Sequence, residues 1–212
     1  MGAVQTGPGI GWPQAATLPR LAADAAEQAA DRPALIDAVT DTVVTFGSLQ
    51  TGALGLAGAL AEKHFGKGDI LFTIMPNCLD WYVAALAAQM LGGAISSINP
   101  MAPAGEIARQ FGRINAKAVL TIPELLTAAS EVAGDTAVLS TADLRSLGNT
   151  DIALHRRSHS TAEAAAFLPF SSGTTGLPKP VILTHQNMIA AAASVASAVA
   201  LDTGDRMLGL PR

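Results

Sequence analysis

The stretch from Phe167 to His185 carries the residues best suited to chemistry. It reads FLPFSSGTTGLPKPVILTH, in which a run of Ser, Gly and Thr leads to a single lysine, Lys179. The small residues at 171–176 offer hydroxyls and backbone N–H groups that can surround an anion, and a nearby ammonium adds a full positive charge. The pattern predicts a phosphate-binding loop between two strands. A surface turn rich in Gly, Ser and Thr is the alternative.

The spacing of this loop differs from that of the Walker loop. A Walker loop places Lys directly after Gly and follows it with Ser or Thr. Here Leu177 and Pro178 separate Gly176 from Lys179, and Pro180 comes next. Phosphate binding would therefore need another arrangement of the loop.

The same residues resemble the phosphate-loop signature of the adenylate-forming superfamily, which includes acyl- and aryl-CoA synthetases, luciferases and peptide-synthetase adenylation domains. The form Ser-Ser-Gly-Thr-Thr-Gly-Leu-Pro-Lys, followed by Leu-Thr-His, is most similar to 4-coumarate–CoA ligases, their fatty-acyl-CoA relatives and luciferases. One position departs from the family, which nearly always has Gly where this chain has Pro180. Proline fixes φ and removes a backbone donor, so the loop exit must differ here if the family's glycine needs positive φ.

Weaker matches to the family precede the loop, and they follow the family's order. They lie at 45–49, 66–69, 75–81, 93–94, 99–100, 106–107 and 116–117. The chain differs from the family's pattern at two places. Ser48 stands where Glu is usual, and Ala102-Pro103 replaces an aromatic residue and Thr.

The resemblance also implies sequence that these 212 residues do not contain. Family members are more than twice as long. Downstream of the loop they carry an adenine-binding aromatic-Gly-x-Thr-Glu motif, an Asp that holds the ribose, and a small C-terminal domain with a catalytic Lys. We therefore expect an N-terminal fragment of the large domain that is inactive by itself.

The resemblance implies a two-step ligase reaction that uses ATP, Mg²⁺ and coenzyme A. A carboxylic acid reacts with ATP to give an acyl adenylate and pyrophosphate, and a thiol, usually coenzyme A, then displaces AMP. Lys179 is expected to act as a charge near the departing pyrophosphate, beside hydroxyl and backbone donors of the loop. The residues assigned to this phosphate site are Ser171, Ser172, Gly173, Thr174, Thr175, Gly176 and Lys179, with Thr174 and Thr175 on the β- and γ-phosphates.

Two other functions stay open. A non-catalytic module would use the loop to hold phosphate or only as a scaffold, and Pro180 favours that reading. An acyl-AMP ligase that loads a carrier protein would keep the first step and change the acceptor, although the Ser-Ser-Gly-Thr-Thr form argues against it. The acid itself is not specified, because the family's acyl pocket is built mostly from downstream residues.

Composition excludes several partners. The formal net charge of −4 gives no electrostatic footprint for nucleic acid. Cys78 is the only cysteine, so a reducing, cytoplasmic location is expected. We expect Cys78 to be a partly buried residue early in a helix. The apolar runs 82–98 and 188–201 are shorter than the roughly 20 residues of a membrane span. His155 and His159 have no evident third ligand, so no metal site is predicted.

Alternating strand and helix patterns predict an α/β fold with a mostly parallel sheet and helices on both of its faces. Asn77 is predicted to cap the helix after the first central strand, and Thr184 the helix after the loop. The predicted helices are 17–30, 48–65, 77–91, 103–115, 123–132, 143–147 and 186–201. The predicted strands are 34–36, 43–46, 70–75, 94–98, 118–122, 137–139, 164–170, 181–183 and 207–210.

We expect four segments along the chain. They are a loose start (1–16), an α/β subdomain (17–148), a polar connection (149–163), and a final segment (164–212) that holds the loop, its two strands, a helix and the start of another strand. A piece cut from a larger domain should expose apolar surface, so self-association through that surface is a further expectation.

Overall fold

The computed structural model describes residues 17–144, 160–171 and 178–209, in which helices and strands alternate as predicted. The helices are α1 (Leu18–Ala29), α2 (Phe46–Glu62), α3 (Leu79–Met90), α4 (Ala104–Phe111), α5 (Leu126–Ala133), α6 (Thr141–Leu144) and α7 (His185–Ala198), with a 3-10 turn at Pro123–Leu125. The strands are β1 (Pro33–Ile36), β2 (Val43–Thr45), β3 (Ile70–Ile74), β4 (Ala94–Ile98), β5 (Ala116–Thr121), β6 (Ala137–Ser140), β7 (Ala165–Phe167), β8 (Phe170–Ser171), β9 (Lys179–Pro180) and β10 (Leu183–Thr184).

Six strands form the central sheet, in the order β10-β7-β4-β3-β5-β6. Neighbouring strands from β7 to β6 are parallel, and β10 pairs antiparallel with β7. β3 lies in the middle, with Phe72 opposite Ser96 on one side and Val119 on the other. The predicted α/β class with a mostly parallel sheet is confirmed.

Helices cover both faces of the sheet, which explains why its strands are almost continuously apolar. Successive strand residues point to opposite faces. Leu71 packs in a core cluster with residues of α2 and α3, whereas Phe72 belongs to a second cluster with residues of α4 and α5. The Phe72 ring lies 5.5 Å from that of Phe111. The two faces therefore hold two separate apolar cores.

The turn between α3 and β4 requires two adjacent glycines, each for its own reason. Gly92 has a φ of 81°, in the left-handed region. A Cβ on Gly93 would lie 2.5 Å from Cε1 of Phe65 and 2.7 Å from the carbonyl oxygen of Asp69, closer than packed atoms can approach. This pair ends α3 where the sequence predicts.

Three predictions about single elements are wrong. Asn77 does not cap α3, because the first turn closes on Cys78, whose carbonyl accepts from the backbone N–H of Trp81. The predicted strand 164–170 is two strands, since Pro169 has no N–H to continue the ladder. The strand predicted at 207–210 is not formed over its described residues, 207–209, which pair with no strand of the described chain.

A fourth correction concerns the strand predicted at 181–183. Pairing occurs instead at Lys179–Pro180 and at Leu183–Thr184, on either side of two residues that join no ladder. The loose start 1–16, the pair His155 and His159 and most of the connection 149–163 lie outside the described residues. The division into four segments stays a prediction. Among the described helices, none combines the length and the apolar character that crossing a membrane requires.

Candidate functional site

The two ends of the predicted phosphate loop meet in a short hairpin. β8 and β9 pair antiparallel, with Ser171 opposite Lys179 and Phe170 opposite Pro180. Residues opposite each other in such a ladder are close neighbours, so the fold places Ser171 and Lys179 side by side at the base of the loop. The loop residues Ser172, Gly173, Thr174, Thr175 and Gly176 lie outside the described residues, and their phosphate contacts stay a prediction.

The base of the hairpin is fixed to the central sheet. The backbone N–H of Leu168 donates to the carbonyl oxygen of Ile95 at 2.8 Å, and the buried hydroxyl of Ser96 donates to the carbonyl oxygen of Leu168 at 2.7 Å. On the return side, the N–H of Val181 donates to the carbonyl oxygen of Pro169 at 2.8 Å. The base of the hairpin is therefore anchored next to β4.

Pro180 fits the hairpin without strain. It lies in the extended strand β9, and the non-glycine residues with positive φ in the described chain do not include it. Its missing N–H costs no cross-strand bond at the hairpin base, because Val181 supplies the donor to Pro169. Position 180 of this chain needs neither positive φ nor a backbone donor.

Lys179 is positioned to attract an anion. Lys179 is exposed, and its ammonium forms no ion pair with any described residue. An uncommitted ammonium can bind a phosphate oxygen through a charge-assisted hydrogen bond. The described residues contain no group of three His, Cys, Asp or Glu side chains that could hold a metal ion. Anion binding by Lys179 stays a prediction.

The chain leaves the hairpin through β10 and enters α7 at a reciprocal cap. The N–H of Asn187 donates to Oγ1 of Thr184 at 3.2 Å, and the N–H of Thr184 donates to Oδ1 of Asn187 at 3.0 Å. The predicted cap at Thr184 is confirmed. This capping box fixes where the helix after the loop begins.

His185, the first residue of α7, is fully buried, a property that the sequence analysis missed. Its Nδ1 accepts a hydrogen bond from the backbone N–H of Leu18 at 3.3 Å, which leaves the ring proton on Nε2. Burial lowers the pKa of His185 to about 4, so the ring is neutral at pH 7. The neutral ring joins the start of α1 to the start of α7.

An apolar cavity of about 680 Å³ lies beside the hairpin base. Its walls come from α1, α3 and the strands that flank the loop. They include Leu21, Trp81, Phe167 and Leu183, and the ring of Trp81 stacks on that of Phe167 at 6.0 Å. Such a lining suits an apolar group and cannot hold a phosphate. This cavity is therefore not the predicted phosphate site, and phosphate binding at the loop stays a prediction.

Comparison with known proteins places this hairpin in a family. The AMP-binding enzyme family profile matches residues 22–211. The chain is 33% identical over 172 residues to 4-coumarate–CoA ligase 5 from Oryza sativa subsp. japonica, which covers 78% of this chain and 32% of that protein. It is 29% identical over 173 residues to a 4-coumarate–CoA ligase from Pinus taeda, which covers 77% of this chain and 32% of the relative. The chain spans about a third of the length of these relatives.

A solved structure shows the same fold. The o-succinylbenzoate CoA synthetase from Bacillus subtilis, in complex with its acyl-adenylate intermediate, superimposes with a TM-score of 0.74 and 25% identity, covering 87% of this chain and 47% of that one. The family match spans the sheet, the hairpin and α7. The chain belongs to the AMP-binding enzyme family.

Proposed function

We propose that this chain carries the pyrophosphate-side loop of an ATP-dependent acid–thiol ligase of the acyl- or aryl-CoA synthetase type. The observation that carries the proposal is the hairpin that sets Ser171 opposite Lys179 at the base of residues 172–177. The names of the relatives support this class, since they are CoA ligases. A similar solved enzyme binds an acyl adenylate, the intermediate that this chemistry requires.

In the proposed first step, a carboxylate oxygen attacks the α-phosphorus of ATP and the bond to the pyrophosphate oxygen breaks. Negative charge then builds on the departing pyrophosphate, and donors near it stabilise the transition state. Lys179 would supply one such donor. A charge-assisted hydrogen bond contributes about 1.5–3 kcal/mol, which corresponds to roughly ten- to a hundredfold in rate if it forms mainly in the transition state.

In the second step, the sulfur of coenzyme A attacks the acyl carbon and AMP leaves.

Thr174, Thr175 and the backbone of residues 172–176 are proposed to contact the β- and γ-phosphates of ATP in the first step. Mg²⁺ would be held mainly by phosphate oxygens, as is common for this ion, because the described residues contain no cluster of metal-binding side chains. The carboxylic acid and coenzyme A remain proposed partners.

We propose that the 212-residue chain alone does not complete this reaction, because its sequence contains no aromatic-Gly-x-Thr-Glu motif. Substrate-dependent AMP formation by the purified chain would contradict this.

A cytoplasmic location is proposed on the basis of the single cysteine. Self-association through exposed apolar residues such as Val199 and Ile182 is proposed as well, and sedimentation over a range of concentrations tests it.

The assignment of Lys179 is tested by binding and by kinetics. Calorimetry of the chain with Mg·ATP and with Mg-pyrophosphate should show weaker binding for Lys179→Ala. Lys117→Ala is the matched control, since it also removes an exposed lysine, from β5, away from the hairpin. In the whole protein, Lys179→Ala should slow single-turnover adenylate formation about ten- to a hundredfold.

Two results would contradict the proposal. Equal binding and equal single-turnover rates for Lys179→Ala and Lys117→Ala would remove the role of Lys179. Tight Mg·ATP binding without adenylate formation in the whole protein would instead favour a non-catalytic nucleotide-binding module.

A further inference from the structure

A second crevice, of about 670 Å³, shares Trp81 and Ser97 with the cavity beside the hairpin base. It opens at the carboxyl ends of three neighbouring parallel strands. The segment 75–77 follows β3, the segment 99–101 follows β4, and the segment 122–125 follows β5; all three line it. Trp81, near the start of α3, completes the wall.

The topology of the sheet explains why a crevice forms at this edge. From β3 the chain crosses to β4 on one side, then to β5 on the other side of β3, and on to β6. At such a reversal, the connections after the two adjacent strands leave in opposite directions and a gap opens between them. Ligands of open α/β sheets bind in this gap, outside the carboxyl ends of the strands.

The lining combines an apolar body with two uncommitted polar groups. Met75, Ile122 and Leu125 supply apolar surface. The exposed amide of Asn77 makes no side-chain hydrogen bond to any described residue, and the exposed carboxylate of Glu124 forms no ion pair within the described ranges. The lining residues in the described chain include neither Lys nor Arg. The crevice therefore has an acceptor-rich, negatively charged side and no cation.

Two further carboxylates make this edge of the sheet more negative. Cys78 directly follows Asn77 and is half-buried. Burial is the main cause that raises the pKa of the Cys78 thiol; the backbone N–H groups of Trp81 and Asp80 lower it, and the charges of Asp80 and Asp37 raise it. A cation would be attracted to the carboxylate of Glu124, the charged side chain among the described lining residues.

We propose that this crevice binds a small organic cation, an apolar or aromatic body that bears an ammonium or amidinium group. The charged group pairs with Glu124, its N–H groups donate to the side-chain oxygen of Asn77, and the body packs on Met75, Ile122 and Leu125. The crevice opens at the same carboxyl edge of the sheet as the hairpin, and its charged lining residue is the carboxylate of Glu124 instead of an ammonium.

A pair of probes with the same ring and opposite charge tests the proposal. Benzamidinium and benzoate are titrated into the full chain by calorimetry, with the tryptophan emission followed in parallel because Trp81 lines the crevice. We expect saturable binding of benzamidinium in the millimolar range and no saturation by benzoate. Added salt should weaken the benzamidinium complex, because an exposed ion pair is screened.

Two charge-matched variants locate the binding site. Glu124→Gln should weaken benzamidinium binding roughly fivefold or more and remove its salt dependence. Glu131→Gln makes the same charge change on an exposed residue of α5 that does not line the crevice, and it should bind as the wild type does. Absence of saturable benzamidinium binding, equal binding of benzoate, or identical affinities of the two variants would each overturn the proposal.

Discussion

The central strand β3 and the phosphate-loop hairpin contrast sharply within one chain. Leu71, Phe72 and Thr73 of β3 are 0% exposed, and they are paired with strands on both sides. In the hairpin, Lys179 and Pro180 are exposed and their strands contain two residues each. Strand β4 connects the two regions: it pairs with β3, and the carbonyl of its Ile95 accepts the hydrogen bond from Leu168 at the hairpin base.

The contrast shows how this fold separates stability from binding. Burial of apolar surface, worth about 25 cal/mol per Å², stabilises the core strands and fixes their register. The hairpin has less such burial: Phe170 packs half-buried on the second core cluster, and hydrogen bonds to β4 anchor the hairpin base. Regions with few buried contacts open at low free-energy cost, and binding loops are commonly drawn from them. Substitutions in the two regions should therefore differ in kind.

The largest expected effect is on the core. Phe72→Ala should lower the free energy of unfolding by about 3–5 kcal/mol, because it removes a fully buried ring that packs on Phe111. Ile182→Ala, at the hairpin, removes a side chain that is 65% exposed and should change it by less than about 0.5 kcal/mol. Urea denaturation followed by circular dichroism measures both. Similar losses of unfolding free energy in the two variants would contradict the proposed difference between the core and the hairpin.

The next effect is the pH dependence that His185 confers. Its pKa is about 4 in the folded chain and 6.5 when exposed, so the unfolded state binds more protons between these values. The free energy of unfolding should therefore fall as the pH is lowered from 6.5 to about 4, by up to about 3 kcal/mol, and His185 should add no further slope below that.

His185→Asn isolates this contribution, because asparagine keeps a short acceptor and does not titrate. Denaturation at a series of pH values should show a smaller slope for this variant between pH 6.5 and 5. His64→Asn is the control, since His64 is exposed and its positive φ of 58° suits asparagine. An unchanged slope in His185→Asn would show that other groups cause the pH dependence.

A smaller effect concerns the link between the two regions. Ser96→Ala leaves the buried carbonyl of Leu168 without its 2.7 Å hydroxyl donor and should cost about 1–3 kcal/mol. The amide of Val181, which bonds to Pro169, should then exchange its hydrogen faster. Ser130→Ala removes an exposed hydroxyl from α5 and should alter neither quantity. Unchanged exchange at Val181 would mean that the hairpin does not depend on β4.

The smallest effect is expected at the loop exit. Pro180→Gly should lower the free energy of unfolding by about 0.4–1 kcal/mol, since glycine gives the unfolded chain more freedom. The affinity for Mg·ATP should stay within about twofold of the wild type, because the backbone at 180 is extended in this chain. A large gain in affinity would show that proline restricts the loop, which would support the non-catalytic reading.

The sequence predicted the elements whose signals are local. The bounds of β4 and the cap at Thr184 are confirmed, and the end of α3 follows from Gly92 and Gly93. These features depend on residues within a turn or two of each other, such as a capping hydroxyl or a glycine with positive φ. The family also followed from a short run of neighbouring residues, 171–179, whose order is specific.

Other features could not be predicted because they depend on contacts between distant segments. The Nδ1 of His185 meets the N–H of Leu18 across 167 positions. Leu168, just before the break of the predicted strand at Pro169, bonds to Ile95 on another strand. Neither partner is marked in the local sequence, since hydrogen bonds and burial at such distances follow from strand order and register.

The sequence by itself therefore determined the α/β class, most helices and strands and the family, and it predicted the residues of the phosphate loop. Only the tertiary structure decided that Lys179 stands opposite Ser171, that His185 is buried and neutral, and that Asn77 and Glu124 line one crevice. The physical reason is the distance along the chain over which each kind of interaction acts. Periodicity, caps and turn residues act over a few positions, whereas the pairing of distant strands decides which side chains share a site.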